Sequence, residues 1–288
     1  MKILLCGASG FIGRHLDVAL CAAGHTVMRG VRRATHSNEL AIDYVHDVTP
    51  AAWLPRLAGI DVVINAVGVL RDSPAQPMAA LHSAAPRALF AACQQAGVRR
   101  VIQVSALGVE SGLDTAYMRS KREADAFLQT LDLDWVIVRP SLVYGEDGAS
   151  ARMFRLLTRL PVIALPGRGD MIVQPVHIDD VSAAAVKLLA SGAVRRCIIN
   201  CVGRQAISYR AMLASYRRQQ GGHHTLWVST PWWLMQLGAR LAQYFASSPL
   251  EPDTLAMLKH GAHADVAPFS ALLGREPRDF ETFISIAR

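Results

Sequence analysis

Tyr117 and Lys121 stand four residues apart in the stretch AYMRSKREADAF, residues 116–127. On a helix, positions i and i+4 share a face. An ammonium one turn from a phenol favours the phenolate and draws down a pKa that starts near ~10. Such a phenol can give or take a proton at a carbonyl or an alcohol. The bland alternative is a tyrosine at a hydrophobic edge with a solvated lysine beside it. The pair alone leaves both readings open, and its neighbours have to choose.

A second group of residues suits phosphate. The first apolar run, KILLC (2–6), leads straight into Gly7-Ala8-Ser9-Gly10-Phe11-Ile12-Gly13. A tight turn from strand into helix needs positive φ or close backbone approach, and glycine supplies both. The helix N-terminus then offers unpaired N–H groups and partial positive charge to a pyrophosphate, while Gly13 lets the helix sit close on the sheet. Gly7, Ser9, Gly10, Phe11, Ile12 and Gly13 are therefore the candidate cradle. An acid about 20 residues further on would favour an NAD ribose, and an arginine a 2′-phosphate. The sequence gives GVRRATHSNE, with Arg32 and Arg33 in that place and no acid before Glu39. A guanidinium is a permanently charged, bidentate phosphate partner. NADP(H) is expected over NAD(H).

Elements of a definite kind must position these residues. KILLC (2–6), HTVMRGV (25–31), DVVINAV (61–67), VRRVIQVS (98–105) and LDWVIVR (133–139) read as strands, with a further short strand near AIDYV (41–45). The runs are continuously apolar, as in a parallel sheet covered on both faces. Helices are expected over 11–23, 78–96 and 115–131, the first two ending before Gly24 and Gly97. This order implies a doubly wound α/β Rossmann sheet with right-handed crossovers. After about residue 145, glycines and prolines break the rhythm. A helix is expected over 177–192, started by Asp179 or Asp180 and ended at Gly192, then one strand in RRCIINCVG (195–203) and a mostly helical tail. Residues 1–148 are expected to form an NADP-binding Rossmann domain. Residues 149–288 are expected to form a smaller, mainly helical substrate- or partner-binding region, with one strand returning to the main sheet.

Composition narrows the class. About half of the 288 residues are apolar, enough for a substantial core. The net charge of +7 comes largely from short Arg pairs, without a nucleic-acid-binding motif, so no nucleic-acid partner is expected. The five cysteines, Cys6, Cys21, Cys93, Cys197 and Cys201, show neither CxxC spacing nor a His partner at zinc-finger distance. Reduced thiols and no metal site are expected, and a cytoplasmic location with them. The run after Met1 is too short for a signal peptide, and no stretch reaches ~18 apolar residues.

With these residues in place, the chain resembles the extended and atypical short-chain dehydrogenase/reductase superfamily. GASGFIG resembles its cofactor turn. HDVT (46–49) resembles the segment where an Asp meets the adenine, which makes Asp47 and Val48 candidates. NAVG (65–68) resembles the motif closing the fourth strand and adds Ala66, Val67 and Gly68. VSALG (104–108) carries the superfamily's serine at Ser105, and YMRSK its Tyr-x-x-x-Lys. RPSLVYGEDG (139–148) resembles the element whose backbone lies near the nicotinamide, adding Pro140, Leu142 and Val143. INAVGVLRDS, GVRRVIQVSALG and QPVHIDDV resemble the branch containing the nucleotide-binding accessory subunit of mitochondrial complex I and its bacterial relatives.

The resemblance implies Ser105, Tyr117 and Lys121 as catalytic residues, with Ser105 on the substrate oxygen, Tyr117 as acid/base and Lys121 reaching the nicotinamide ribose as well. The implied activity is that of an oxidoreductase acting on an apolar carbonyl, alcohol or quinone-like substrate. A non-catalytic NADPH-binding accessory or assembly protein of a respiratory or quinone-related complex is the alternative, and a sugar-nucleotide epimerase or dehydratase a third. His177 is expected to anchor a helix start, and His223-His224 to be loop residues. In the stretch 227–245, Leu234, Leu237, Leu241 and Phe245 fall near helical spacing, and Pro231 is expected at a helix start. Packing in a small helical domain, a lid, or contact with a membrane surface or protein complex are all open for it. A monomer or homodimer is expected.

Overall fold

A computed structural model describes residues 1–190, 194–222, 224–242 and 252–284. The chain divides into two units, Met1–Pro140 with Val181–Asn200, and Ser141–Asp180 with Cys201–Arg288. Gly192, His223 and Phe245 lie outside the described residues, as does the side chain of Leu241.

The first unit alternates strand and helix. Strand β1 (Lys2–Cys6) leads into α1 (Phe11–Ala22), β2 (Thr26–Val31), β3 (Glu39–Ala41), the single turn α2 (Pro50–Trp53) and β4 (Val62–Asn65). Then come α3 (Ala85–Gln95), β5 (Arg100–Val104), α4 (Ala116–Thr130) and β6 (Trp135–Pro140). In the second unit the chain makes β7 (Val143–Tyr144), α5 (Ala149–Leu157), β8 (Val162–Pro166), β9 (Ile172–Val173) and β10 (Val176–His177). Helix α6 (Ile178–Lys187) and strand β11 (Cys197–Cys201) follow. The remainder is β12 (Ile207–Ser208), α7 (Tyr209–Gln219), β13 (Leu226–Thr230), α8 (Trp232–Ala242), α9 (Pro252–His260) and α10 (Ala267–Leu273).

One seven-stranded sheet organises the first unit, in the order β11-β6-β5-β4-β1-β2-β3. The pairs from β6 to β3 are parallel. Ile3, Leu4, Leu5, Val63, Ile64, Val101, Ile102, Val136 and Ile137 are excluded from solvent, which is why their strands read as unbroken apolar runs. On one side, Leu4, Val63, Val101 and Ile137 join a core with Leu89, Phe90 and Cys93 of α3 and Ala124 and Leu128 of α4. The strand order reverses between β1 and β4, and in such sheets ligands gather at the carboxyl ends flanking that point. Helix α4 is capped by Thr115, whose hydroxyl accepts from the Met118 amide at 3.2 Å. Its buried face carries Met118, Ser120, Lys121, Ala124, Asp125 and Leu128, so two charges go inward with the apolar stripe.

Three elements depart from expectation. The short strand after β2 is Glu39–Ala41, not 41–45. Asp43 takes the Val45 amide on Oδ1 and the His46 ring on Oδ2, and this local turn competes with the ladder. The helix expected over 78–96 opens as a π-helical turn, Ala80–Ala84, before α3. Pro86 has no N–H to give the His82 carbonyl, and the Ala85 amide instead reaches the Ala80 carbonyl, five residues back. The tail, expected to be mostly helical, contains a strand. Leu226–Thr230 is a strand parallel to β8, and α8 starts after Pro231, where a helix start is expected.

The second unit has its own core. Tyr144 stacks on Phe283 at 5.1 Å and lies 5.4 Å from Tyr216, with Phe154, Tyr209 and Phe280 in the same cluster. Around it are three two-stranded pieces, β7 with β10, β9 with β12 and β8 with β13. His177 accepts the Asp179 amide at 3.2 Å, so it anchors the start of α6 as expected. No described helix is long and apolar enough to cross a membrane.

Candidate functional site

The glycine turn closes on the β4 turn. Gly7 has φ +82°, and a Cβ there would stand 2.9 Å from the backbone of Ala66 and Val67. At Gly13 a Cβ would stand 2.0 Å from the Gly7 carbonyl, so α1 can lie on the turn only without a side chain at that position. The chain thus makes a cradle floored by backbone, with the first amides of α1 at its edge. Ser9 and Gly10 are exposed, and Phe11 and Ile12 partly so. Such a cradle fits a pyrophosphate.

Arg32 and Arg33 follow the end of β2 and are exposed, and neither has a recorded partner among the described residues. Glu39, the nearest downstream acid, is engaged. Its Oε1 takes Arg29 at 3.1 Å, and its Oε2 takes the Thr35 and His36 amides. Asp47 is buried, its Oδ2 accepting the Asp43 amide at 2.6 Å and pairing with Arg56 at 2.7 Å. Val48 beside it is exposed.

Across the β4–β5 strand ends lies the face of α4. Lys121 is buried, and its Nζ donates to the Val67 carbonyl at 3.2 Å and the Val104 carbonyl at 3.0 Å. One lysine therefore joins the helix to the ends of two strands. Burial lowers its pKa to about 8, against the opposing pull of Asp125. Tyr117 sits one turn earlier, half-buried. Its pKa moves opposite to the sequence expectation. Burial first, then the charge of Asp125, raises it to about 12. The phenol is therefore held protonated at neutral pH.

Ser105 directly follows β5 and meets α4 at Asp125, one helical turn beyond Lys121. Its hydroxyl donates to Asp125 Oδ2 at 2.7 Å. The same oxygen accepts from Arg139 Nε and Nη2 at 3.3 and 3.2 Å, and Arg139 also pairs with Glu110 at 2.9 Å. Ser105 has one proton and gives it to Asp125, so its oxygen faces other groups as an acceptor. Burial raises the Asp125 pKa, opposed by Ser105, Arg139 and Lys121, and Oδ1 has no hydrogen-bond partner among the described residues. Tyr117, Lys121 and Asp125 follow at four-residue steps on one face.

The turn after β4 is pinned as well. Asn65, fully buried, accepts the Val67 amide at 3.2 Å and the Tyr44 hydroxyl at 2.9 Å, and donates to Gln103 at 2.7 Å. The structure brings Gly7, Gly13, Ala66, Val67, Gly68, Ser105 and Lys121 to the carboxyl ends of neighbouring strands. Pro140 ends β6, and its carbonyl accepts the Leu107 amide at 2.9 Å. Leu142 and Val143 belong to the second unit, where the Leu142 carbonyl takes the Val176 amide and Val143 pairs with Val176. Sequence reasoning missed His82 and Asp125. Asp125 could have been found from the i+4 step beyond Lys121, whereas His82 carries no motif.

Comparison with known proteins adds a frame. The model of an NAD(P)H-binding family matches residues 7–191. A ceramide reductase of Caulobacter vibrioides is 30% identical over 194 residues, covering 65% of this chain and 60% of the relative. The mitochondrial NADH dehydrogenase (ubiquinone) 1 alpha subcomplex subunit 9 of Arabidopsis thaliana is 29% identical over 198 residues, covering 64% of this chain and 48% of the relative. The chain thus spans about half to three-fifths of these relatives' lengths. A nucleoside-diphosphate-sugar epimerase from Staphylococcus aureus shares the fold with TM-score 0.78 at 16% identity, over 98% of this chain and 99% of that one.

Proposed function

The chain belongs to the NAD(P)H-binding family, and from that premise we propose that it is an NADP(H)-dependent oxidoreductase acting on an apolar carbonyl, alcohol or quinone-like substrate. The observation that carries the proposal is the α4 face, with Tyr117 protonated, Lys121 joined to the β4 turn and the end of β5, and Asp125 behind them. Gly7, Ser9, Gly10, Phe11, Ile12 and Gly13 would hold a pyrophosphate on backbone amides. Arg32 and Arg33 would take a 2′-phosphate, because Glu39 is already committed to Arg29 and to the loop at 35–36. Asp47 and Val48 would border the adenine, and Ala66, Val67, Gly68 and Pro140 the nicotinamide. A bound nicotinamide supplies or accepts hydride.

The chain's own groups handle the proton. Tyr117, kept neutral by burial and by the Asp125 charge, donates to the carbonyl oxygen as it gains charge. Lys121 stabilises the phenolate that remains and would offer its third N–H to the ribose. Ser105, with its proton given to Asp125, accepts from the product hydroxyl and orients it. The relative named as a reductase of ceramide supports carbonyl reduction on an apolar substrate.

Titration by fluorescence tests the cofactor. NADPH is expected to bind more tightly than NADH, and Arg32→Ala with Arg33→Ala to remove the difference; tighter NADH binding in the wild type would sink the Arg argument. Supplying NADPH with apolar carbonyls and short-chain quinones tests the chemistry. Tyr117→Phe is expected to lower turnover by at least about a hundredfold, and unchanged turnover removes Tyr117 from the mechanism.

A second reading is favoured by one observation. Trp233, Leu234 and Leu237 on α8 are exposed. An NADPH-binding accessory protein would dock on another protein through such a face, in line with the relative named as a complex I subunit. Tight NADPH binding without turnover, plus a protein captured by wild type but not by Trp233→Ser/Leu237→Ser, would favour it.

A further inference from the structure

The β4 turn is held at three successive points. Asn65 accepts the Val67 amide, Lys121 donates to the Val67 carbonyl, and the Val69 amide donates to His82 Nε2 at 2.9 Å. Gly68 lies between the last two. A Cβ there would touch Lys121 Nζ at 3.4 Å and His82 Nε2 at 3.7 Å.

The hydrogen-bond directions around His82 are fixed by its partners. An amide can only donate, so Nε2 must be the bare nitrogen and Nδ1 carries the proton. Nδ1 lies 3.2 Å from Ser120 Oγ, and Ser120 in turn donates to the Tyr117 carbonyl at 3.0 Å. Every donor in this chain meets an acceptor with none reversed. A second proton on the ring would face the Val69 N–H and the Lys121 ammonium at once. Burial and Lys121 accordingly push the His82 pKa down to about 2. The ring also stands edge-on to Tyr117, with centroids 5.3 Å apart and planes at 89°. What turns His82 this way is the π-helical turn forced by Pro86.

We propose that His82 is a positioning residue: with Lys121 it ties the Val67–Val69 turn to α4, so that the turn and the Tyr117–Lys121 face hold one geometry. The lysine supplies the donor and the histidine the acceptor for the two backbone groups flanking Gly68. The link from this clamp to cofactor binding rests on the function proposed above. The clamp itself does not.

Two substitutions separate the ring's two nitrogens. Glutamine can place an acceptor near the Nε2 position, whereas asparagine reaches only as far as Nδ1. Hydrogen–deuterium exchange of the peptide spanning 66–72, without added cofactor, reads the clamp directly. His82→Asn is expected to speed exchange there by about tenfold or more, as for a buried amide losing its acceptor, and His82→Gln to stay within about threefold of wild type. NADPH affinity should follow the same order. Unchanged exchange in His82→Asn overturns the proposal. Equal acceleration in both variants also overturns it, because ring packing rather than the acceptor would then be responsible. If neither variant folds, Ser120→Ala takes their place. It frees the tautomer and is expected to speed exchange at 66–72, and no change there overturns the clamp. A wild type that binds no NADPH while exchange follows the expected order refutes the proposed function and leaves the clamp standing.

Discussion

Lys121 gives two of its three donors to the Val67 and Val104 carbonyls and sits beside Asp125, yet burial still lowers its pKa to about 8 from 10.5. Between those values the folded chain binds fewer protons than the unfolded one. Its contribution therefore opposes folding below about pH 8 and is relieved as pH rises towards 10.5. Denaturant melts at pH 7.5 and 9.5 should show wild type gaining stability relative to Lys121→Met over that interval; parallel changes in both proteins would refute it. Asp125→Asn tests the other charge. It leaves Arg139 with Glu110 alone and is expected to cost about 3 kcal/mol, as for a broken buried pair. It should also move the alkaline limb of carbonyl reduction to lower pH, because a charge that raises the Tyr117 pKa is gone. The Tyr–Lys spacing and the glycine turn were legible in the sequence because each is a local pattern. The direction of the Tyr117 shift was not, since it depends on burial and on Asp125, two helical turns away. His82 was illegible for the same reason, its role coming from a turn that Pro86 reshapes.

At the scale of elements, the parallel strands could be read from their composition alone. Residues such as Ile3 to Leu5 and Val136 to Ile137 are covered on both sides, and unbroken apolar runs follow. Elements held by side chains were harder. Asp43 ends the region after β3 by taking the Val45 amide and the His46 ring, and apolar Ile42 and Tyr44 are buried without belonging to a strand. Strand Leu226–Thr230 lies in a tail whose composition reads as mostly helical, whereas the helix start at Pro231 was legible because proline is preorganised for a first helical turn. Helix α1 offers a test of fit. Gly13→Ala would place a methyl 2.0 Å from the Gly7 carbonyl, so the helix must move off the turn. Loss of detectable NADPH binding is expected, with a Tm lowered by several degrees, and a variant with wild-type affinity would refute the cradle. At the start of α4, Thr115→Ala removes the acceptor for the Met118 amide and should cost about 1 kcal/mol by denaturant titration.

For the whole molecule, the net charge of +7 predicts a favourable field for a cofactor carrying several phosphates. NADPH affinity should fall more steeply than NADH affinity when salt rises from about 50 to 500 mM, as screening shortens the reach of exposed Arg32 and Arg33. Equal slopes would show that the two arginines do not meet the extra phosphate. The first unit is discontinuous: its sheet needs β11, which the chain supplies only after passing through residues 141–180 of the second. On the ribosome that order sets a delay. β6 is made long before Cys197, and at ~5–20 residues per second the wait is roughly 3–11 s. During that interval the newest edge of the nascent sheet has no neighbour, the situation in which chaperones find their clients and strands pair with the wrong chain. Slowing translation between codons 141 and 196 should therefore lower the yield of native protein more than an equal pause placed after codon 201.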